Sequence, residues 1–211
     1  MKIGIIGATG MTGKALYNEA ISRGHDVTGF VRNETRGKDV LGSDAQLIVE
    51  DAFAITGTQL DQFDVVIDAF ANHTEPEQNL DVLTHLIHQT RHHDVRMFFI
   101  LGAGPLLQED GSYVYDFLKT LPNAAAWVDE PRYGVTELQV LLSTRDVNWT
   151  AISAQNEYTE GPKTEYVLGK DHLMHASDGK SHVTSGNLAG AVMDEIEQPQ
   201  FKMARFTVSD K

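Results

Sequence analysis

The chain of 211 residues contains no cysteine, and basic residues are few. The absence of cysteine excludes disulfides, thiolate catalysis and zinc-thiolate sites. Only 17 Lys and Arg residues stand against 30 Asp and Glu residues, which gives a formal net charge of -13. Because a strongly acidic surface repels nucleic acid and anionic membranes, we expect neither as a partner.

Long hydrophobic runs are also missing. No stretch is apolar for long enough to span a bilayer. The apolar start Met1 to Ile6 is shorter than a signal peptide and leads directly into a glycine turn,. We therefore expect a cytoplasmic protein. The length and the 41% hydrophobic content predict one α/β domain over residues 1–211, since no repeat or linker divides the chain,.

The most informative stretch is Lys2 to Gly13, which reads KIGIIGATGMTG. Ile3, Ile5 and Ile6 form a short apolar run that is typical of a strand buried on both faces of a parallel sheet. Three glycines follow at three-residue spacing, and a helical pattern then runs from Lys14 to Arg23. A strand, a glycine turn and a helix start together predict a cradle for dinucleotide phosphates.

Each glycine of this turn has its own expected task. Gly7 permits the tight turn, Gly10 lets backbone amides approach a pyrophosphate, and Gly13 lets the helix pack closely on the strand. The helix start adds positive potential, and two threonines add hydroxyl donors. A tight turn without a ligand is the alternative. The predicted phosphate-binding residues are Gly7, Thr9, Gly10, Met11, Thr12 and Gly13.

The end of the second predicted strand, His25 to Val31, indicates which nicotinamide cofactor binds. Rossmann proteins that prefer NAD place an Asp or Glu there, but this chain places Arg32 and then Asn33,. A guanidinium group suits the 2′-phosphate of NADP(H). We therefore predict that NADP(H) is preferred over NAD(H), with a solvated loop arginine as the alternative.

Further cofactor contacts are expected where later strands end, because ligands of open α/β sheets bind beyond the carboxyl ends of the strands. Asp51 follows the third strand, Gln46 to Glu50, and either faces the adenine or caps the next turn. Ala69, Phe70 and Ala71 follow the fourth strand. The small alanine side chains would let the backbone lie beside the cofactor ribose. Gly102 follows the fifth strand, Arg96 to Leu101.

The alternation of strands and helices predicts an α/β, Rossmann-type doubly wound parallel sheet with helices on both faces. Residues 155–185 are rich in Gly, Thr, Ser, His and Glu and are predicted to form a small substrate-facing lobe. On the helical pattern Glu75 to His93, three histidines share a face with Asp81. We interpret this face as solvated and predict no metal site, because no second element supplies a further ligand.

The glycine spacing GATGMTG resembles that of the atypical and extended short-chain dehydrogenases/reductases. The particular likeness is to small NAD(P)H-binding proteins of the NmrA-like, NADH-flavin-reductase and biliverdin-reductase-B-like type. The C-terminal pattern, with AGAVMDEIEQP at Ala189 to Pro199 and Arg205 to Val208, is similar to theirs. The likeness covers nearly the whole chain and implies a Rossmann fold and a nicotinamide cofactor.

The resemblance also implies a catalytic Ser after the fifth strand and a Tyr-x-x-x-Lys pair on the following helix. This chain has Gly102-Ala103-Gly104 in the first place, and Tyr133 is followed by Glu137 where the lysine is expected. A carboxylate raises rather than lowers the pKa of a nearby phenol. Tyr133 remains the predicted catalytic residue, but the proton relay of the family is absent.

Loss of the relay disfavours alcohol or ketone chemistry, which needs proton transfer concerted with hydride transfer. A flavin- or quinone-like acceptor takes a hydride onto a stabilised π system, so we predict an NAD(P)H-dependent reductase of such an acceptor, either a monomer or a homodimer. A redox sensor of the NmrA-like type is the alternative, and a sugar-nucleotide epimerase ranks third. Aromatic candidates for stacking on the acceptor are Tyr133, Trp127, Phe70 and Tyr158, and Asn156 is a candidate for the nicotinamide side.

Overall fold

A computed structural model describes all 211 residues and has a large sheet at its centre. The ten strands are β1 (Lys2–Ile6), β2 (Asp26–Val31), β3 (Gln46–Val49), β4 (Val65–Asp68), β5 (Arg96–Leu101), β6 (Trp149–Ser153), β7 (Glu157–Thr159), β8 (Tyr166–Gly169), β9 (His182–Thr184) and β10 (Arg205–Asp210). Eight of them form the sheet in the order β3-β2-β1-β4-β5-β6-β10-β8. All neighbours are parallel except β8, which runs antiparallel to β10.

Helices cover both faces of this sheet. They are α1 (Met11–Ser22), α2 (Glu34–Leu41), α3 (Gly57–Leu60), α4 (Glu77–Thr90), α5 (Val114–Leu118), α6 (Asp129–Ser143) and α7 (Ser185–Glu197), with a 3₁₀ turn at Ala124–Ala126. This arrangement confirms the predicted doubly wound fold. No helix has both the length and the apolar character needed to cross a bilayer.

A hydrophobic core lies on each face of the sheet, which explains why the strands are almost wholly apolar. On one face, α1 and α7 pack against Ile3, Ile5 and Phe206. On the other, α4 and α6 pack against Ile6 and Trp149. Strands covered on both faces bury side chains in both directions, so their sequences read as continuous hydrophobic runs.

Several boundaries differ from the sequence predictions. Helix α1 begins at Met11 rather than Lys14, because the extended backbone of Gly10 lets the helix start directly after the turn. Helix α2 lacks a strong apolar pattern and was not predicted. It packs through Gly37, where a Cβ would lie 2.7 Å from Leu47 Cδ1. Helix α6 starts at Asp129, two residues before Pro131, so Pro131 lies in the first turn of the helix.

The segment 155–185, predicted to form a small lobe, is divided between two sheets. β8 extends the edge of the main sheet, whereas β7 pairs with β9 in a separate two-stranded sheet. Tyr158 on β7 reaches back to α1, where its hydroxyl lies 2.9 Å from Thr12 Oγ1. Part of the segment therefore lies beside the first glycine turn.

Candidate active site

A cavity of about 810 Å³ opens beyond the carboxyl ends of the central strands. This is the place where open α/β sheets bind their ligands, next to the point at which the strand order reverses between β1 and β4,. Ten of the thirteen residues predicted from the sequence line it: Gly7, Thr9, Gly10, Met11, Thr12, Arg32, Ala69, Phe70, Ala71 and Gly102. Gly13, Asp51 and Tyr133 do not.

The first turn has no room for side chains at two of its glycines. Gly7 has a φ of +73°, a left-handed conformation that glycine adopts without strain, and a Cβ there would lie 2.6 Å from the carbonyl oxygen of Ala69,. Gly13 lies beneath the cavity rather than in its wall. A Cβ on Gly13 would collide with the carbonyl oxygen of Gly7 and would lie 2.7 Å from Ala8 Cα.

This packing leaves free amide groups at the start of α1. Gly10 is the N-cap and provides no side chain to cap the helix. The N–H groups of Met11, Thr12 and Gly13 have no protein acceptor, whereas the N–H of Lys14 donates to the carbonyl of Gly10 at 2.9 Å. Unpaired amides at a helix start, next to glycines that admit close approach, suit a diphosphate.

Two arginines lie close to the connection between β2 and α2. Arg32 and Arg36 are exposed, line the cavity and form no salt bridge. Asn33 caps α2 by accepting the N–H of Arg36 at 2.9 Å, which holds the two guanidinium-bearing residues on one helix start. Arg36 was not predicted, although its position four residues after Arg32, at the start of a helix, was an available signal.

Asp51 does not line the cavity. Its Oδ1 accepts the N–H of Phe53 at 3.0 Å, so its carboxylate caps the turn after β3. The neighbouring Glu50 lines the cavity instead and accepts a hydrogen bond from Gln59 Nε2 at 3.3 Å. The sequence left two interpretations of Asp51 open, a contact with the adenine and a cap for the next turn. In the structure its carboxylate caps the turn.

The far end of the cavity is formed by residues that follow β4, β5 and β6. Ala69, Phe70 and Ala71 contribute from the first of these strands, Gly102 and Ala103 from the second, and Ala154 to Asn156 from the third. Most of these side chains are small, so the floor of this end is largely backbone. A flat ring can therefore approach the strand ends closely.

Tyr158 also lines the cavity, close to the start of α1. Its hydroxyl pairs with Thr12 Oγ1, and burial raises the pKa of Tyr158 to about 12. The phenol therefore stays protonated through the neutral range and acts as a neutral hydrogen-bonding group. Of the four aromatic candidates, Phe70 and Tyr158 reach the cavity, whereas Tyr133 and Trp127 do not.

Tyr133 packs near the N-terminal end of α6. The guanidinium carbon of Arg132 lies 4.3 Å from the centre of its ring, a cation-π contact,. The ring lies outside the cavity wall. The structure therefore does not bring the predicted catalytic side chain together with the other site residues.

Two carboxyl groups lie below the far end of the cavity. Asp68 ends β4, is buried, and accepts only the N–H of Phe70 at 3.1 Å. Burial raises its pKa to about 7. Loss of solvent, together with the nearby Asp68 and Glu130, raises the pKa of Glu137 to about 8.

These shifts correct one step of the sequence interpretation. Glu137 was treated as a carboxylate beside Tyr133, but it is mostly protonated at pH 7 because its pKa is about 8. A neutral carboxyl group still supplies no positive charge. Whether charged or neutral, Glu137 therefore does not replace the lysine of the Tyr-x-x-x-Lys pair as a cation.

Sequence reasoning also missed a hydrogen-bonded histidine–glutamate pair in the cavity wall. His73, in the loop after β4, and Glu130, at the start of α6, both line the cavity and lie 2.8 Å apart. Fifty-seven positions separate them in the chain. No motif spacing could have found them, because the fold brings them together from separate elements.

Comparison with known proteins agrees with this geometry. The family model described as NAD(P)H-binding matches residues 7–199. The uncharacterized protein YwnB of Bacillus subtilis is 30% identical, with 99% of this chain and 98% of YwnB aligned. A Lactobacillus casei crystal structure is 36% identical with a TM-score of 0.92, covering 100% of this chain and 99% of the other.

A crystal structure from Streptococcus pneumoniae, proposed in its name to be an NADH-flavin reductase, is 28% identical. Its TM-score is 0.89, and both chains are covered completely. The match to the family model extends from the first glycine of the turn to the end of the last helix, and it confirms the resemblance to atypical short-chain dehydrogenases/reductases. The chain belongs to the NAD(P)H-binding family.

Proposed function

We propose that this oxidoreductase transfers hydride from NADPH to a flavin- or quinone-like acceptor. The observation that carries the proposal is the cavity itself. Free amides of α1 and two unpaired arginines lie at one end, and a floor of small residues without the Ser and Lys of the relay lies at the other.

The residues at the first end fit the cofactor. The amides of Met11, Thr12 and Gly13 would hold the diphosphate, because their N–H groups have no other acceptor,. Arg32 and Arg36 would hold the 2′-phosphate that distinguishes NADP(H) from NAD(H). Neither arginine has an acidic partner to leave, so their contacts with the phosphate cost no existing ion pair.

The second end suits an acceptor that does not need concerted proton transfer. Bound NADPH supplies the hydride, and the protein supplies binding and orientation. The flat floor formed after β4 and β5 admits an aromatic ring, and Phe70 provides an apolar surface beside it,. The name given to the Streptococcus pneumoniae neighbour is consistent with a flavin in this role.

The test is steady-state oxidation of NADPH and NADH with FMN, FAD and the quinone menadione, each followed by loss of reduced-nicotinamide absorbance. We expect turnover with at least one acceptor and a higher kcat/KM for NADPH than for NADH. No oxidation with any acceptor would overturn the reductase. If NADPH then still bound tightly, the redox-sensor alternative would take its place.

A further inference from the structure

The far end of the cavity holds few groups that can exchange a proton. The ionisable side chains in the cavity wall are Arg32, Arg36, Glu50, His73, Glu130 and Tyr158. The first three follow β2 and β3, on the side where the 2′-phosphate is placed. Tyr158 pairs with Thr12 beside the phosphate-binding turn, and its pKa is raised by burial. His73 and Glu130 are the pair that remains at the acceptor end.

The geometry of this pair fixes which ring nitrogen is available. Glu130 Oε1 lies 2.8 Å from His73 Nδ1, so Nδ1–H donates to the carboxylate. His73 Nε2 forms no hydrogen bond with the protein. The histidine side chain is 74% exposed, which leaves Nε2 accessible to a molecule in the cavity. An imidazole oriented by a carboxylate is a common arrangement for general acid-base catalysis.

The charged groups around the pair have other partners or lie at a distance. On α6, Asp129 accepts from Arg132 Nε at 2.9 Å, so neither competes for Glu130. In the loop of His73, Glu75 accepts from Gln78 Nε2 at 2.7 Å. Asp68 and Glu137 lie below Glu130, and because their pKa values are raised to about 7 and about 8, they hold protons rather than compete with Glu130 for His73,.

We propose that His73, held by Glu130, is the proton donor to the acceptor and that the acceptor is a quinone. This inference rests on the proposed reductase. A quinone that has received hydride carries a strongly basic oxygen, whereas reduced flavin is stable as an anion near neutral pH. A dedicated proton donor at this end of the cavity therefore suits a quinone better than a flavin.

The step is balanced as follows. Quinone, NADPH and one proton become hydroquinone and NADP⁺, with the C–H bond at nicotinamide C4 broken and two O–H bonds formed. The hydride accounts for the first O–H bond, and the N–H bond at His73 Nε2 then breaks to give the single proton to the oxygen that bears the negative charge, which forms the second O–H bond. Solvent water returns a proton to Nε2, and Glu130 keeps the ring oriented throughout through Nδ1.

The experiment compares His73→Gln, Glu130→Gln and the matched control His88→Gln, an exposed histidine on α4 outside the cavity. For H73Q we expect kcat/KM with menadione to fall on the order of 100-fold at pH 7. With FMN we expect a change below about threefold. For E130Q we expect a loss on the order of tenfold with menadione, since the amide oxygen still accepts from Nδ1. H88Q should match the wild type.

Two further measurements separate a catalytic role from a structural one. The menadione rate of the wild type should decline as the pH rises, and H73Q should lack that decline. In NMR spectra of the NADP⁺-loaded protein, the ring signals of His73 should move when menadione is added, and those of His88 should not. This second measurement does not depend on turnover.

The outcomes are distinguishable. If the wild type oxidises NADPH with menadione but H73Q does so equally well, His73 is not the donor and only this inference fails. Stationary His73 ring signals at saturating menadione would lead to the same conclusion. If the wild type oxidises NADPH with FMN alone, the quinone assignment fails while the reductase stands. If it oxidises NADPH with no acceptor, both proposals fail.

Discussion

The two ends of the cavity are built in different ways. The phosphate end is made mainly of backbone, with the free amides of Met11 to Gly13 exposed by glycines that exclude side chains. The acceptor end depends on side chains from separate elements, among them His73 after β4 and Glu130 on α6. The first end is contained in one continuous stretch of sequence, and the second exists only after the chain has folded.

This difference has an electrostatic counterpart. Unpaired amides and two arginines make the phosphate end positive, which matches a cofactor with a diphosphate and a 2′-phosphate. The acceptor end contains Glu130 with Asp68 and Glu137 beneath it, and the last two have raised pKa values. One end is therefore suited to holding anions, and the other to holding protons.

The largest expected effect is at Gly13, on the phosphate end. In Gly13→Ala the added methyl group would collide with the carbonyl of Gly7 and approach Ala8 Cα, so α1 must move away from the turn. We expect the Kd for NADPH to rise on the order of 1000-fold, about 4 kcal/mol, in a calorimetric titration.

Gly10→Ala is the graded comparison, since a Cβ there would lie 3.3 Å from Gly7 O and would need only a small adjustment. Its loss of affinity should be much smaller, and its thermal unfolding should resemble that of the wild type. Equal Kd values for the two variants would show that backbone packing at Gly13 does not set the geometry of the phosphate end.

The next effect concerns the acceptor end and stability. Asp68 and Glu137 keep protons in the folded state up to about pH 7 and 8, whereas the unfolded chain releases them near their ordinary values of 3.8 and 4.5. The folded state therefore binds more protons across this window, and the pair's contribution to stability falls as pH rises from about 4 to 8.

Asp68→Asn and Glu137→Gln remove these titrations. As the pH rises from 4 to 8, the free energy of unfolding of each variant should increase relative to that of the wild type. The increase should be on the order of 2–3 kcal/mol, after allowance for the partial exposure of Glu137. Urea unfolding at several pH values measures this gain. Asp39→Asn, an exposed residue on α2 without a side-chain partner, is the control and should show no such gain. A parallel pH dependence in wild type and variants would mean that neither carboxyl group is held protonated.

The same contrast explains how much of the molecule the sequence predicts. Strands β1 to β5 and the glycine turn were predicted because buried strands and tight turns impose local residue patterns. Helix α2 was missed because it packs through Gly37 against Leu47 rather than through an apolar stripe. The helix signals that its sequence does carry are at its two ends, with Asn33 as the N-cap and Gly42 directly after Leu41.

Site residues divide along the same line. The predicted residues of the first turn and of the β4 end line the cavity, since each directly follows a strand whose position the fold fixes. Tyr133 was inferred from a resemblance, and its ring packs under Arg132 outside the cavity wall. His73 and Glu130 have no sequence relationship, so only the structure could pair them.

The smallest expected effect tests whether the positive end selects its cofactor. Arg32→Ala and Arg36→Ala each remove one unpaired guanidinium group from the cavity wall at the position proposed for the 2′-phosphate. We expect each to raise the Kd for NADPH about tenfold, near 1.5 kcal/mol, because an exposed charge-assisted contact is partly screened by salt. The Kd for NADH should stay within about twofold, since NADH carries no 2′-phosphate for the arginines to bind.

Lys38→Ala is the matched control, because Lys38 lies on the same helix but pairs with Glu34 and does not line the cavity. Equal losses for NADPH and NADH would mean that the arginines only attract anions in general, and the contrast between the two ends would then reflect charge without cofactor selection.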